Sequence, residues 1–306
     1  MTIQTFTSYL ENLNKTASRN EMTVVLAELL EKLSADEVDT ACYLLLGRLT
    51  PKFEGIEFQM ATKSMIKVMA LAYGEELGAV TKLFKEKGDL GIVAFDLAND
   101  ARRTMHEERK LRKQDVTSVY EILLQIAQEE GSGSVDRKIQ GFSELLKTLD
   151  SLSAKYIVRI PVGMLRLGFS DMTLLDALSW MAAGDKSLRK MLENAYNVSA
   201  DIGHIAQEFK EKGEKGIVHL KATPGIPIRP QQAERMGTAE EMIAKLGTSV
   251  AEWKLDGFRA QIHIRKKGIG DRVHELQERN KQLEMGKKES NKEVQIFSRS
   301  LENTTH

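Results

Sequence analysis

Three of the five prolines, Pro224, Pro227 and Pro230, fall within seven residues, and this cluster constrains the chain more than any other feature. Proline has no backbone N–H to donate and clashes with the preceding turn, so no helix runs through it. Before it, to about residue 220, nearly every stretch carries helical periodicity. After Gly216 the texture changes to short alternating runs. The reading is a multidomain α plus α/β chain, with an all-helical domain over 1–220 and a second domain over 221–306. A length of 306 residues agrees with about two domains.

The helical half is read element by element. Val24, Val25, Leu26, Leu29, Leu30 and Leu33 recur at helical spacing. Ser34 with Glu37 three residues on reads as a capping box, opening a helix that continues through Leu46 until Pro51. Residues 61–87 predict two helices broken near Gly74 and Gly88. Residues 91–110 predict another, which turns basic at Arg109, Lys110, Arg112 and Lys113. That basic run reads as a solvated face or a DNA contact. Thr117 opens a helix closed by Gly131-Ser132-Gly133-Ser134, and the next begins near Asp136. Ser153 opens a further helix, Asp171 or Thr173 caps the one over 173–183, and 187–197 and 202–212 give two more.

Composition excludes several classes. Apolar residues are 42% and charged residues 29%, which is globular rather than disordered. The single cysteine, Cys42, rules out an intrachain disulfide or a CxxC zinc site, reads as core, and fits a reducing, cytoplasmic setting. His204 and His263 lack ligand-spaced partners, so no metal site is expected. No run of about 18 apolar residues suggests a membrane span, and the N-terminal stretch lacks a secretory pattern. Net charge is zero, but residues 1–150 carry 19 basic and 24 acidic groups, and 151–306 carry 25 and 20. That asymmetry is mild.

In the second half, Ala239–Leu246 predicts a short helix. Ser249–Lys254, Phe258–Arg265 and Val294–Phe297 have strand character, with Ile262 and Ile264 alternating with polar neighbours. Between them Lys266–Glu293, with 8 basic and 6 acidic residues, reads as an exposed insertion. About three strands and one helix do not easily bury both sheet faces, so this domain reads as incomplete. Within it, Glu252-Trp253-Lys254-Leu255-Asp256-Gly257-Phe258-Arg259 carries the chemistry. In an extended strand Glu252, Lys254 and Asp256 share one face. Gly257 permits a tight turn, and Arg259 offers a bidentate fork to phosphate. A lysine between carboxylates has two candidate roles, a surface ion pair or a nucleophilic amine that must shed its proton.

The K-x-D-G-x-R pattern at Lys254–Arg259 resembles the nucleotidyl-transfer motif of DNA ligases, RNA ligases and mRNA capping enzymes. Four fixed residues recur by chance in roughly 1 in 200 chains of this length, so the motif needs support. Phe297-Ser298-Arg299-Ser300-Leu301-Glu302-Asn303-Thr304-Thr305 supplies it, resembling the FSR-x-L-E-x-x-T segment that follows the lysine in ATP-dependent DNA ligases. The helical half narrows the match. Gly131–Ile139, Ala154–Arg159, Leu165–Thr173 and Asn194–Gly203 resemble the N-terminal DNA-binding domain of archaeal and eukaryotic-type replicative ligases, and Pro227–Pro230 resembles the entry to their adenylation domain.

The resemblance implies a ligase that seals nicked duplex DNA through a lysyl–AMP intermediate in replication, repair or recombination, with ATP and Mg²⁺ as cofactors. Lys254 matches the adenylated lysine. Glu252 would contact the adenine side, Arg259 and Arg299 ribose or phosphate, and Asp256 would hold the lysine and its turn. Read alone, Gly131–Ser134 is a flexible turn. With the resemblance, Gly131, Ser132, Gly133 and Gly168 become helix-start amides facing DNA phosphates, assisted by Arg137, Lys138 and Arg166. The enzyme is expected to act as a monomer at the nucleoid, away from membranes, with a sliding clamp or a further C-terminal part as candidate partners. Later acidic and lysine motifs and an OB-type domain, which the family carries, are not in this chain. The alternative reading is a non-catalytic nicked-DNA-binding fragment.

Overall fold

Side-chain oxygens open most helices of this chain. Thr2, Ser18, Asp115, Asp150 and Asp201 each sit in extended backbone and accept from the amide three residues on. They start α1 (Ile3–Asn14), α2 (Arg19–Lys32), α7 (Val116–Gln128), α9 (Ser151–Ile157) and α12 (Ile202–Lys212). Capping boxes open α3 (Ala35–Leu45) at Ser34 with Glu37, as expected, and α10 (Asp171–Ala183) at Ser170 with Thr173. The remaining helices are α4 (Thr62–Tyr73), α5 (Leu77–Lys87), α6 (Leu90–Thr104), α8 (Ser134–Thr148), α11 (Arg189–Val198), α13 (Glu214–Val218) and α14 (Ala239–Leu246). Gly74 and Gly88 end α4 and α5 as left-handed C-caps.

The structure, a computed structural model, describes residues 1–104, 114–165, 167–231, 234–253, 256–266 and 292–305. Arg166, Lys254, the basic run Arg109–Lys113 and nearly all of the 266–293 insertion lie outside them. The chain divides into two units. One is Met1–Tyr196 with Asp201–Lys221, and the other is Asn197–Ala200 with Ala222–His306. No described helix is long and apolar enough to cross a membrane.

The first unit is all-helical. α2 packs on α10, α3 on α12, α6 on α9 and α4 on α8, enclosing a continuous core that includes Phe6, Leu26, Leu44, Cys42, Phe142 and Tyr156. Where sequence placed a helix start a few residues late, the N-cap lies upstream. Gly133 rather than Asp136 precedes α8, Asp150 rather than Ser153 caps α9, and Ser170 precedes the expected Asp171 or Thr173. The α6–α9 crossing is tight. A Cβ on Gly91 would lie 2.4 Å from Arg159 Nε and 2.5 Å from the Lys155 carbonyl oxygen. Arg159, itself buried, donates to Asp89 Oδ1 at 2.9 Å, and the same carboxylate oxygen accepts the Ile92 N–H.

In the second unit, β1 (Gln261–Lys266) and β2 (Lys292–Phe297) form an antiparallel pair with Ile262 opposite Ile296 and Ile264 opposite Val294. The expected strand over Ser249–Lys254 does not form across 249–253, where no strand among the described residues supplies hydrogen bonds, and Phe258–Arg265 is paired only from Gln261 onward. The alternation at Ile262 and Ile264 is present, but that face is open, at 62% and 58% exposure. The other face carries His263 and Gln261, which hold the proline-rich segment. Gly225 N–H donates to His263 Nδ1 at 2.9 Å. Ile228 N–H donates to Gln261 Oε1 at 2.9 Å, and Gln261 Nε2 donates to the Ile228 carbonyl at 2.6 Å. The His263 ring meets the buried Phe297 edge-on with centroids 4.9 Å apart.

Two outcomes follow. Gly91→Ala should lower the unfolding free energy by about 1–3 kcal/mol through overpacking. Gly78→Ala, in open space within α5, should raise it by at most about 1 kcal/mol; urea midpoints at constant m compare the two. Burial holds His263 below the usual imidazole range. The unfolded chain therefore takes up the proton more readily, and the Gly225–His263 contact contributes above about pH 6.5 and is lost as pH falls. Protection of the Gly225 amide, its exchange rate referred to the intrinsic rate at each pH, should fall on acidification, and His263→Gln should flatten that dependence.

Candidate nucleic-acid interface and nucleotidyl-transfer segment

The loop between α7 and α8 is built by glycine conformation and by one arginine. Gly131 and Gly133 have φ of +80° and +75°, left-handed backbone that an L side chain adopts at a cost. Gly133 is the N-cap of α8 and offers no side-chain acceptor. Arg137, in the first turn, folds back over the loop. Its Nε donates to Glu129 Oε2 at 2.6 Å, Nη1 to the Ser132 carbonyl at 2.9 Å and Nη2 to the Glu130 carbonyl at 2.7 Å. The loop is exposed, and the N–H groups of Gly131, Gly133, Val135 and Asp136 have no acceptor among the described residues.

Lys138 does not face solvent. It is 5% exposed, and its ammonium donates to the carbonyls of Phe58 at 3.0 Å and Ala127 at 3.1 Å. The expectation that it assists a surface phosphate is therefore corrected. Its position on α8 explains this, since 138, 142, 145 and 149 share one helix face with Phe142, Leu145 and Leu149, all buried. That apolar spacing was present in the sequence. The adjacent Arg–Lys pair drew attention to charge instead of to face.

At the second expected loop, Gly168 has φ of +82° and Ser170 caps α10. Asp171 occupies the first helical position, where its carboxylate accepts from Arg48 Nη2 at 2.6 Å. Burial alone would push this carboxyl up, but the Arg48 guanidinium and a hydrogen bond from Tyr196 outweigh it and hold the group below the usual range. This helix start thus already has an anion of its own and a half-buried cation balancing it. Neither Arg48 nor Tyr196 carried a local sequence signal, since the partners are far apart in the chain.

In the second unit Glu252, Asp256, Arg259 and Arg299 are all exposed, and no hydrogen bond or ion pair joins them among the described residues. Trp253 and Phe258 are 94% and 106% exposed. The structure does not bring these side chains into a closed pocket. The 297–305 segment explains its own pattern better. Phe297 is buried, Ser298 N–H donates to the Glu302 carbonyl at 2.9 Å, and Thr304 N–H donates to the Ile296 carbonyl at 2.8 Å. Ile296 N–H in turn donates to Thr305 Oγ1 at 2.9 Å. The chain so reverses tightly around 298–302, with Leu301 at φ +71°, and displays Arg299 on the turn. Among the described residues no three His, Cys, Asp or Glu side chains converge to hold a metal ion.

Residues 2–179 match the protein family described as DNA ligase N terminus. The chain is 37% identical over 298 residues to a probable DNA ligase of Dictyoglomus turgidum, covering 97% of this chain and 45% of that protein. It is 37% identical over 311 residues to a DNA ligase of Sulfolobus acidocaldarius and 36% identical over 311 residues to one of Saccharolobus solfataricus. Each of these two alignments covers 100% of this chain and 48% of the relative. The chain spans about half the length of the curated relatives it matches. With a family match over more than half its residues and relatives aligned along its whole length, the chain belongs to the DNA ligase family and corresponds to its N-terminal portion.

Proposed function

We propose that this chain is the N-terminal portion of an ATP-dependent DNA ligase. Its helical domain, 1–220, grips nicked duplex DNA through phosphates, and 221–306 begins the adenylation domain. The observation that carries the reading is the alignment of the chain, from end to end, with proteins named DNA ligase, together with Lys254 in the K-x-D-G-x-R setting. Lys254 Nζ, once deprotonated, attacks the α-phosphorus of ATP. A P–N bond forms, the bond to the β-phosphate bridge breaks, and pyrophosphate leaves. Arg259 and Arg299 supply planar forks for phosphate oxygens, and Glu252 and Asp256 supply acceptors for the nucleobase and the turn. Mg²⁺ would neutralise phosphate charge, held chiefly by phosphate oxygens and water.

A second reading has one observation in its favour. Glu252, Asp256, Arg259 and Arg299 stand exposed without a pocket around them. A portion that binds nicked DNA but needs the remaining ligase length for adenylation fits that exposure.

Intact-mass spectrometry after incubation with ATP and Mg²⁺, with NAD in parallel, separates the two. The first reading expects a gain of one AMP with ATP alone, mapped to Lys254 and abolished in Lys254→Ala. The second expects no gain while nicked duplex is still bound. Lys254→Ala should leave DNA affinity within about twofold of the parent, because affinity for duplex resides in phosphate contacts of the helical domain. Equal loss of adenylation and DNA binding would overturn the two-domain assignment.

A further inference from the structure

Arg137 was expected to touch DNA, but each of its three guanidinium nitrogens already has an acceptor in the loop it overhangs. We propose that Arg137 is a positioning residue, one that presets the α7–α8 loop as a phosphate receptor made of backbone amides. The inference rests on the proposed DNA-binding role of that loop.

The argument runs through peptide geometry. A trans peptide is planar, and its C=O and N–H point in opposite directions. No cis peptide bond occurs among the described residues. The Glu130 carbonyl shares its peptide plane with the Gly131 N–H, and the Ser132 carbonyl shares its plane with the Gly133 N–H. By drawing both carbonyls toward itself at 2.7 and 2.9 Å, the guanidinium turns the Gly131 and Gly133 amides away from α8 and toward solvent. The left-handed φ at both glycines is what lets alternate peptide planes flip this way. Outward N–H groups of this kind, here on alternate residues, line an anion-binding concavity. The unpartnered first-turn amides of Val135 and Asp136 continue it.

Charge supports positioning over contact. Glu129 Oε2, 2.6 Å from Arg137 Nε, offsets the guanidinium charge at the back of the loop. Lys138 anchors the same helix start from inside, through Phe58 and Ala127. Both cations of the Arg–Lys pair thus hold carbonyl oxygens, and the outward surface is left to neutral N–H donors. Such a surface accepts a phosphate without reading a base, as nick sealing in any sequence requires.

The test is nicked-duplex binding of the whole chain across a salt series. The variants are Arg137→Gln, Arg137→Lys and Gly133→Ala, each checked for an unchanged melting transition. A lysine keeps the charge but cannot span three acceptors. The expectation is that Arg137→Gln and Arg137→Lys weaken binding alike, about tenfold, the scale of losing charge-assisted hydrogen bonds. Their log K against log salt slope should equal that of the parent. Gly133→Ala, which strains the same peptide with Arg137 intact, should reproduce the loss. Hydrogen exchange of the Ser134 amide, which donates to the Gly131 carbonyl at 3.2 Å, should accelerate in Arg137→Gln. A near-normal Arg137→Lys together with a slope shallower by about 0.9 in Arg137→Gln would mean direct phosphate contact and overturn the inference. Unchanged affinity in Arg137→Gln would overturn it too. Absence of salt-dependent duplex binding by the parent chain would instead overturn the DNA-binding role on which the inference rests.

Discussion

A unit built from helices satisfies its backbone within each helix except at the ends, where four amides and four carbonyls are left over. Everything notable about the first unit follows from how those ends are closed. At several starts a Thr, Ser or Asp side chain takes a spare amide, as at Thr2, Ser18, Asp150 and Asp201. Asp201 does more than cap α12, since its carboxylate also accepts the Tyr43 hydroxyl at 2.6 Å and so ties α12 to α3. Lys210 closes the opposite kind of end, giving its ammonium to the Leu30 and Glu31 carbonyls. At α8 the cap is glycine, and the spare amides stay available.

Helices whose ends are written locally were legible in sequence. Residues 61–87 broke at Gly74 and Gly88, and α12 and α14 began and ended where periodicity placed them. Starts were misplaced where several cap-forming residues compete. Ser170, Asp171 and Thr173 can each begin a helix, and the pairing of Asp171 with Arg48, 123 positions away, is not written near either residue. Lys138 was legible from its register with Phe142 and Leu145. The expected strand over Ser249–Lys254 failed for a different reason, because alternation describes a face whereas a strand also needs a neighbour to bond with.

The site divides along the same line. Lys254 and its flanking pattern are a property of sequence, and they pointed to one chemistry before any fold was known. What the fold adds is that the FSR-like segment is as much a turn as a site, with Phe297 buried, Ser298 and Thr304 bonded across the reversal and Arg299 exposed on it. Likewise the Arg137–Lys138 pair, read as two cations for DNA, acts on carbonyl oxygens of its own chain.

The ribbon of β1 and β2 has a consequence for how the chain behaves in concentrated solution. One margin is occupied, with Thr304 and Thr305 bonded along Ile296 at the outer edge of β2. Growth of the sheet by strand addition, the usual route to fibrous aggregation, is therefore obstructed at the β2 margin. Ile262, Ile264 and Val294 remain open on the flat of the ribbon. That open apolar face is the surface this portion offers for reversible stacking, a contact sensitive to temperature and cosolvent.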